Sequence, residues 1–146
     1  MAFKKHLHTQ IHLLASPQQV WQVLTNTAAY SEWNPFIKQL NGQLTQGEQI
    51  HAHIQNMTFR PTILQCQPHK ELRWLGKLFI KGIFDGEHIF RLEEQEDGST
   101  IFHHEEYFSG LLVPLFARQL DQQTKTGFEA MNQAMQQRLT HLNLSI

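Results

Sequence analysis

The sequence predicts an α+β fold in which a curved antiparallel sheet wraps around one long C-terminal helix. Apolar and polar residues alternate over Phe3–Leu13, as they do in a half-buried strand. After the turn at Pro35, strand-like segments separated by turn residues occupy most of 37–108. In the remainder of the chain, apolar positions recur every three or four residues, which is typical of an amphipathic helix. A curved sheet closed by a single helix tends to enclose a cavity.

Composition narrows the class of protein. A length of 146 residues suits one domain spanning 1–146, and a net charge of −1 gives no basic field for nucleic acid. The longest apolar run, 111–117, is far shorter than the ~20 residues of a spanning helix, so no stable membrane insertion is expected. The N-terminal segment lacks the apolar run of a signal peptide, and the lone Cys66 has no disulfide partner. We therefore expect a cytoplasmic protein, as a monomer or a weak homodimer.

Two short helices are predicted after the first strand. Ser16 is a favourable N-cap and Pro17 suits the first helical position, so a helix is predicted over 17–26. The aromatic-rich segment before Pro35 predicts a second short helix or a turn. About twenty-five residues from Leu115 should form the closing helix. The strand candidates between them are 37–44, 49–54, 58–67, 71–79, 88–94 and 100–108.

Five motifs follow one another along nearly the whole chain. They are Ser16-Pro17-x-x-Val20-Trp21, Trp33-Asn34-Pro35-Phe36, Leu72-x-Trp74-x-Gly76, Gly86-x-His88-x-Phe90-x-Leu92 and Thr100-x-Phe102-x-His104-x-Glu106-x-Phe108-Ser109-Gly110. In these motifs the chain resembles the SRPBCC superfamily, also called START-like or helix-grip proteins, on its polyketide cyclase/dehydrase and lipid-transport branch. The resemblance implies a seven-stranded curved antiparallel sheet around the C-terminal helix, with a tunnel between them. It implies less about function, because the superfamily includes hydrophobic-ligand carriers, aromatase/cyclases, ring-hydroxylase subunits and stress-response regulators.

The last predicted hairpin places candidates for acid–base chemistry side by side. A loop of 96–98 with a left-handed glycine puts His88 opposite Glu106 and Phe90 opposite His104. An imidazole beside a carboxylate on a cavity wall can transfer a proton or anchor a ligand, so the catalytic candidates are His88, His104 and Glu106. The alternative is a structural hydrogen bond near the end of the sheet, because buried polar groups are normally paired.

The predicted ligand contacts are mostly aromatic. Trp33 and Asn34 are candidates for the cavity mouth, although Asn34 is equally suited to tie down the turn before Pro35. Trp74 is a candidate for the cavity wall, on a strand parity that should face inward. The full set of candidate ligand-binding residues is Trp33, Asn34, Trp74, His88, Phe90, Phe102, His104, Glu106, Phe108, Phe116 and Leu120.

Two pairs of closely spaced histidines are candidates for metal ligands. His6 and His8, like His51 and His53, lie about 6–7 Å apart on one face of a strand, which is a spacing that can chelate. Both pairs alternate with apolar residues that should face inward, and a site needs three or four converging ligands, so we predict a solvated outer face and no metal site. No dinucleotide or phosphate-binding motif is present, and no cofactor is expected. A buried, inert thiol is predicted for Cys66.

The sequence predicts that the partner is a small hydrophobic molecule, aromatic, polyketide-like or lipid, bound in a cavity between sheet and C-terminal helix. Binding without catalysis is the first prediction. The alternative is a cyclase or dehydratase that uses His88, His104 or Glu106 as general acid or base. A third possibility is a partner-binding module of a larger complex. A polar network at mid-cavity would favour the enzyme, and an all-apolar tunnel would favour the carrier.

Overall fold

The computed structural model describes residues 3–78 and 80–146. The strands in these ranges are β1 (Phe3–Leu13), β2 (Ile37–Asn41), β3 (His51–Ile54), β4 (Met57–Phe59), β5 (Thr62–Gln67), β6 (Glu71–Leu78), β7 (Phe84–Glu94) and β8 (Thr100–Gly110). The helices are α1 (Pro17–Thr25), a 3-10 turn (Thr27–Ala29), α2 (Tyr30–Trp33), α3 (Val113–Gln119), a π-helical turn (Leu120–Thr124) and α4 (Lys125–His141). Met1 and Ala2 of the predicted domain, and Phe79 of the strand predicted over 71–79, lie outside the described residues.

Within the described ranges the strands form two antiparallel sheets, one of five strands in the order β1-β8-β7-β6-β5 and one of three in the order β2-β3-β4. The prediction of one seven-stranded sheet was therefore wrong. The strand predicted over 58–67 divides at Pro61, which has no N–H to donate to a ladder. Backbone bonds still join the sheets at this point, where Ile50 N–H donates to the Pro61 carbonyl at 2.9 Å.

The β7–β8 hairpin has the register that the sequence predicted. His88 lies opposite Glu106 and Phe90 opposite His104. Gly98 has a φ of 86°, the left-handed conformation that such a loop requires of its glycine. The even pairing places His88, His104 and Glu106 on the same face of the sheet, which we call the inner face because it packs against the closing helix.

Local sequence explains where α1 begins. The Ser16 hydroxyl accepts from Gln19 N–H at 3.2 Å, and the Gln19 side-chain oxygen accepts from Ser16 N–H at 2.9 Å. This reciprocal capping box satisfies two backbone donors that a helix start leaves without partners, and Pro17 occupies the first turn. The helix buries Val20 and Leu24 over one end of the inner face.

The closing helix runs from Val113 to His141 and starts slightly before the predicted Leu115. It is not uniformly α-helical, because α3 and α4 are joined by the π-helical turn. A side chain at Gly127 would overlap the Phe36 ring, so glycine allows the helix to approach the small sheet closely. Among the helices of the described ranges, none combines the length and apolarity needed to cross a membrane.

Candidate functional site

A cavity of about 250 Å³ lies between the inner face of the five-stranded sheet, the β3–β4 hairpin and the closing helix. Apolar side chains form most of its wall. For scale, an apolar cavity of about 150 Å³ holds benzene, so this one has room for a molecule of roughly two rings. The described residues that line it are Phe36, Ile54, Gln55, Met57, Phe59, Pro61, Trp74, Gly76, Lys77, Leu78, Phe84, Gly86, His88, Glu106, Phe108, Phe116, Gln119, Leu120 and Thr124.

The π-helical turn forms the wall opposite the sheet. The Lys125 N–H donates to the Leu120 carbonyl, five residues back, in place of the usual four. The wider turn directs Gln119, Leu120 and Thr124 toward the cavity together. Single π turns inside α-helices are frequent at functional sites, and here the turn coincides with the cavity.

A chain of buried polar side chains leads from the cavity wall into the core. Glu106 Oε1 lies 3.1 Å from His88 Nδ1, and His88 Nε2 lies 2.8 Å from His104 Nε2. His104 Nδ1 lies 3.1 Å from Asn132 Oδ1 on α4. Asn132 Nδ2 donates to the Thr9 hydroxyl at 2.9 Å, and that hydroxyl donates to the His104 carbonyl at 2.9 Å. The network therefore connects three elements, β1, the β7–β8 hairpin and α4.

The direction of each hydrogen bond in this chain can be assigned by starting from the Thr9 hydroxyl, at the end farthest from the cavity. A carbonyl only accepts, so the Thr9 hydroxyl must give its one proton to the His104 carbonyl and must accept from Asn132. The Asn132 oxygen then faces His104, so His104 Nδ1 carries a proton. Burial, and after it the neighbouring His88, lowers the pKa of His104 well below its ordinary value, so this ring is neutral and its Nε2 accepts.

The directions of these hydrogen bonds also determine how many protons the His88–Glu106 pair carries. Because His104 Nε2 accepts, His88 Nε2 must donate. A neutral His88 would then present a bare Nδ1 to a carboxylate, which places two acceptors 3.1 Å apart. One proton must therefore lie between His88 and Glu106, either on the imidazole or on the carboxyl group. The proton can move within the pair, which stays neutral overall and leaves no buried charge unpaired.

Neighbouring residues fix the position of this pair. The Trp74 ring stacks on the His88 ring with centroids 5.1 Å apart. Gly86, next to Glu106 on the adjoining strand, leaves the space that the carboxyl group occupies, because a Cβ at this position would overlap Glu106 Oε2. The glycine of the Gly86-x-His88 motif thus has a steric explanation.

The structure separates the predicted ligand-binding residues into two groups. Those that border the cavity are Trp74, His88, Glu106, Phe108, Phe116 and Leu120. Those outside its lining, within the described ranges, are Trp33, Asn34, Phe90, Phe102 and His104.

A hydrogen-bonded turn and aromatic packing account for three members of the second group. The Asn34 oxygen accepts from the N–H groups of Phe36 and Ile37, at 2.9 and 2.8 Å, and so ties down the turn. Phe90 and Phe102 are fully buried and stack on each other at the end of the inner face near α1. We call the part of the inner face around these two rings the packed half, and the part around Gly86 and Phe108 the cavity half.

Sequence reasoning missed the contribution of the small sheet and of Asn132. Ile54, Met57 and Phe59 of the β3–β4 hairpin line the cavity, although Ile54 and Phe59 were predicted only as strand residues and Met57 fell between two predicted strands. Asn132 is buried, four residues after Phe128 and three before Met135, which are also buried. That spacing could have identified Asn132 from the sequence, because it places a polar residue on the buried stripe of the closing helix.

Comparison with known proteins identifies the family. Residues 4–143 match the model of the family described as polyketide cyclase / dehydrase and lipid transport. The chain belongs to this family, within the SRPBCC superfamily. The resemblance to this family that the motifs indicated is therefore confirmed. No match was found among curated protein sequences.

Solved structures of similar fold support the helix-grip architecture. Zhui aromatase/cyclase from Streptomyces sp. R1128 superimposes with a TM-score of 0.76 at 16% identity, covering 95% of each chain. A START superfamily protein from Mycobacterium smegmatis gives 0.71 at 17% identity, covering 94% of this chain and 98% of that one. A point mutant of norcoclaurine synthase from Thalictrum flavum gives 0.74 at 11% identity, covering 98% of each chain. At these identities the likeness concerns the fold alone.

Proposed function

We propose that this protein binds one small, mostly apolar molecule of about two rings in the cavity, with an oxygen atom of the ligand at Glu106. The supporting observation is a mostly apolar cavity of about 250 Å³ whose wall contains one hydrogen-bonded acid–imidazole pair. Ligand sites in proteins combine this kind of apolar lining with a few polar groups that fix orientation. Superfamily members bind hydrophobic ligands or act as polyketide cyclases, and both activities need such a cavity.

Glu106 is the proposed polar anchor because the hydrogen-bonded chain of side chains ends at Glu106, on the cavity wall. Its side chain is 14% exposed, whereas that of His88 is 2% exposed. Because the single shared proton lies between His88 Nδ1 and Glu106 Oε1, the other oxygen of Glu106 can accept from a ligand hydroxyl. A purely apolar ligand would gain nothing from Glu106, and this difference can be measured.

The test compares 2-naphthol with naphthalene, which differ by one hydroxyl group, by fluorescence titration and calorimetry. We expect saturable binding of both at one site. Glu106→Gln keeps the shape of the side chain and should leave the naphthalene Kd within about twofold while weakening 2-naphthol by up to about tenfold, or ~1.4 kcal/mol. Equal effects on both ligands would remove Glu106 as the anchor, and absence of saturable binding by the wild-type protein would contradict the binding site itself.

Gly76 provides an independent steric test of the same cavity. A Cβ at Gly76 would make only ordinary contacts, with Pro61 Cβ at 3.9 Å and the Gly86 carbonyl at 4.0 Å. Gly76→Leu should therefore fold and fill part of the cavity, and it should weaken both ligands by at least about tenfold. Gly76→Ala is the matched control, with little expected change. Unchanged binding to Gly76→Leu would place the ligand elsewhere.

Acid–base catalysis is the second candidate function, and the proton between His88 and Glu106 is the observation that favours it. As a carboxylate, Glu106 can remove a proton from the carbon beside a ligand carbonyl, and the C–H electron pair moves into the enolate. His88 can hold or return a proton while the neutral His104 and Asn132 keep its ring oriented. For an enzyme the sequence predicted a polar network at mid-cavity, whereas the network described above begins at the cavity wall and runs into the core.

Deuterium exchange into a two-ring ketone tests this candidate without knowledge of the natural substrate. For 2-tetralone in D₂O, the wild-type protein should accelerate exchange beside the carbonyl, and Glu106→Gln should reduce the catalysed rate by roughly 10²–10⁴ while ketone binding persists. Equal exchange rates with the two proteins would exclude Glu106 as the acid or base. Binding with no catalysed exchange would favour the carrier.

A further inference from the structure

A second group of titratable side chains lies on the other face of the five-stranded sheet, which we call the outer face. His6 and His8 of β1 and His103 and Glu105 of β8 lie on this face, with His8 directly opposite Glu105. The sequence predicted that the two β1 histidines face outward. It did not predict that the neighbouring strand places another imidazole and a buried carboxylate against them.

Three of these residues have the geometry of a metal site. One ligand atom from each of His8, His103 and Glu105 lies within 4.8 Å of the others. His8 Nε2 and His103 Nδ1 are 2.9 Å apart. In a tetrahedral zinc site with Zn–N bonds of about 2.0 Å, two ligand nitrogens lie about 3.3 Å apart, so small side-chain movements would admit the ion.

A hydrogen bond on the far side of His103 prepares its ring for metal binding. His103 Nε2 lies 2.8 Å from Glu93 Oε1. Because a carboxylate only accepts, Nε2 carries the proton, and in the neutral ring Nδ1 then presents its lone pair toward His8. A carboxylate behind a metal-binding histidine is the usual arrangement around zinc, where it fixes the tautomer and the orientation of the ring.

One oxygen of Glu105 forms an ion pair with Arg91 but has no hydrogen-bond donor among the described residues. Its side chain is 8% exposed, and Oε1 accepts from His6 Nε2 at 3.0 Å. Among the described residues, no hydrogen-bond donor reaches the buried Oε2, and the Arg91 guanidinium lies 3.6 Å away. With Glu93, Glu105 and Arg91 counted together, the local charge is negative, so a cation is favoured. Buried polar atoms are normally satisfied, and a bound ion would complete this carboxylate.

We propose that His8, His103 and Glu105 bind a divalent transition-metal ion of the zinc type on the outer face of the sheet. Two imidazoles and one carboxylate form a donor set found in three-residue zinc sites, which leave a coordination position for water. Glu93 positions His103, and His6 positions Glu105. This proposal departs from the prediction of no metal site, because the converging ligands come from β8 and not from the spacing within β1.

The test is a competition titration of metal-stripped protein with Zn²⁺ and a chromophoric zinc chelator. The wild-type chain should bind one equivalent. His8→Ala changes an exposed side chain and should weaken binding by at least about 100-fold, and Glu93→Gln should weaken it by roughly 10–100-fold. Melting curves of the metal-free variants should match that of the wild type, so that loss of affinity cannot be attributed to unfolding.

The second histidine pair supplies the matched control. His51 and His53 are also spaced two apart on a strand. The side chain that His53 contacts is the Thr58 hydroxyl, whereas His8 contacts a second imidazole. His53→Ala should therefore bind Zn²⁺ like the wild type. Absence of a one-equivalent site in the wild-type protein would overturn the proposal. So would equal affinity of His8→Ala and wild type, or a loss in His53→Ala as large as that in His8→Ala.

Discussion

The packed half and the cavity half of the inner face are built from the same two strands. Side chains fill the packed half, whereas the cavity half borders an empty space. In the packed half, Phe90 and Phe102 stack with centroids 5.9 Å apart and are fully buried. In the cavity half, Gly86 and Phe108 border a space of about 250 Å³. Both halves alternate inward and outward residues in the same way, so strand pattern alone does not create the cavity. The covering elements do, with α1 and α4 over one half and the π-helical turn and β3–β4 hairpin over the other.

The largest expected difference between the halves comes from adding a charge. Met135→Asp places a carboxylate in fully buried surroundings, at a cost of several kcal/mol against a total stability of ~5–15 kcal/mol, so this variant should be unfolded or nearly so. Leu120→Asp faces the cavity, where water can solvate the new group, so it should remain folded. Circular dichroism melts measure both. A Leu120→Asp variant as unstable as Met135→Asp would mean that water does not enter the cavity.

Truncating one aromatic ring in each half gives the next largest effect. Phe102→Ala should cost about 3–5 kcal/mol, because the surrounding packed side chains cannot collapse into the hole. Phe108→Ala should cost less than that range, because Phe108 already borders empty space and loses fewer contacts. Denaturant unfolding with both variants measures the difference. Equal losses would show that the cavity half is as tightly packed as the other.

Gly86→Ala tests the position of the Glu106 carboxyl group. The new methyl group would overlap the carboxyl group and displace it, with an expected destabilisation of about 1–3 kcal/mol and reduced preference for 2-naphthol over naphthalene. Gly76 lies on the neighbouring strand, where a Cβ would make only ordinary van der Waals contacts, so Gly76→Ala should be neutral or slightly stabilising. If Gly86→Ala retained the same ligand preference, the anchor would have to be another group.

The smallest expected effect is that of ligand binding on the alkylation rate of Cys66. Burial raises the pKa of the Cys66 thiol, so at neutral pH a smaller fraction is the reactive thiolate than in a free cysteine. Alkylation by iodoacetamide should be slower than that of a model thiol. Cys66 also lies outside the cavity lining within the described ranges, so 2-naphthol should leave the rate unchanged. A rate strongly reduced by the ligand would extend the binding region to β5.

The elements that could be predicted are those governed by local chemistry. Ser16 and Pro17 predicted the start of α1, and the loop before Ser99 predicted the pairing of His88 with Glu106. The division of the sheet at Pro61 had a local signal too, because a proline inside a predicted strand argues against an unbroken ladder.

The extent of the cavity could not be predicted, because it depends on how distant segments pack. Phe90 and Phe108 alternate identically with their neighbours, and the elements that cover each half decide which of them borders a space. The same limit applies to the outer face. The convergence of His103 and Glu105 on His8 depends on the register of β1 with β8, two strands that are far apart in the chain.

Small molecules should enter the cavity half of the inner face and not the packed half. Methyl-selective NMR with 2-naphthol tests it most directly. The methyl groups of Ile54, Leu78 and Leu120, which border the cavity, should shift in a saturable way, with a single Kd. Those of Leu13, Leu24 and Leu139, which are buried outside the cavity lining of the described ranges, should stay nearly unchanged. Shifts of similar size in both sets, or no saturable shift in the first set, would contradict the account.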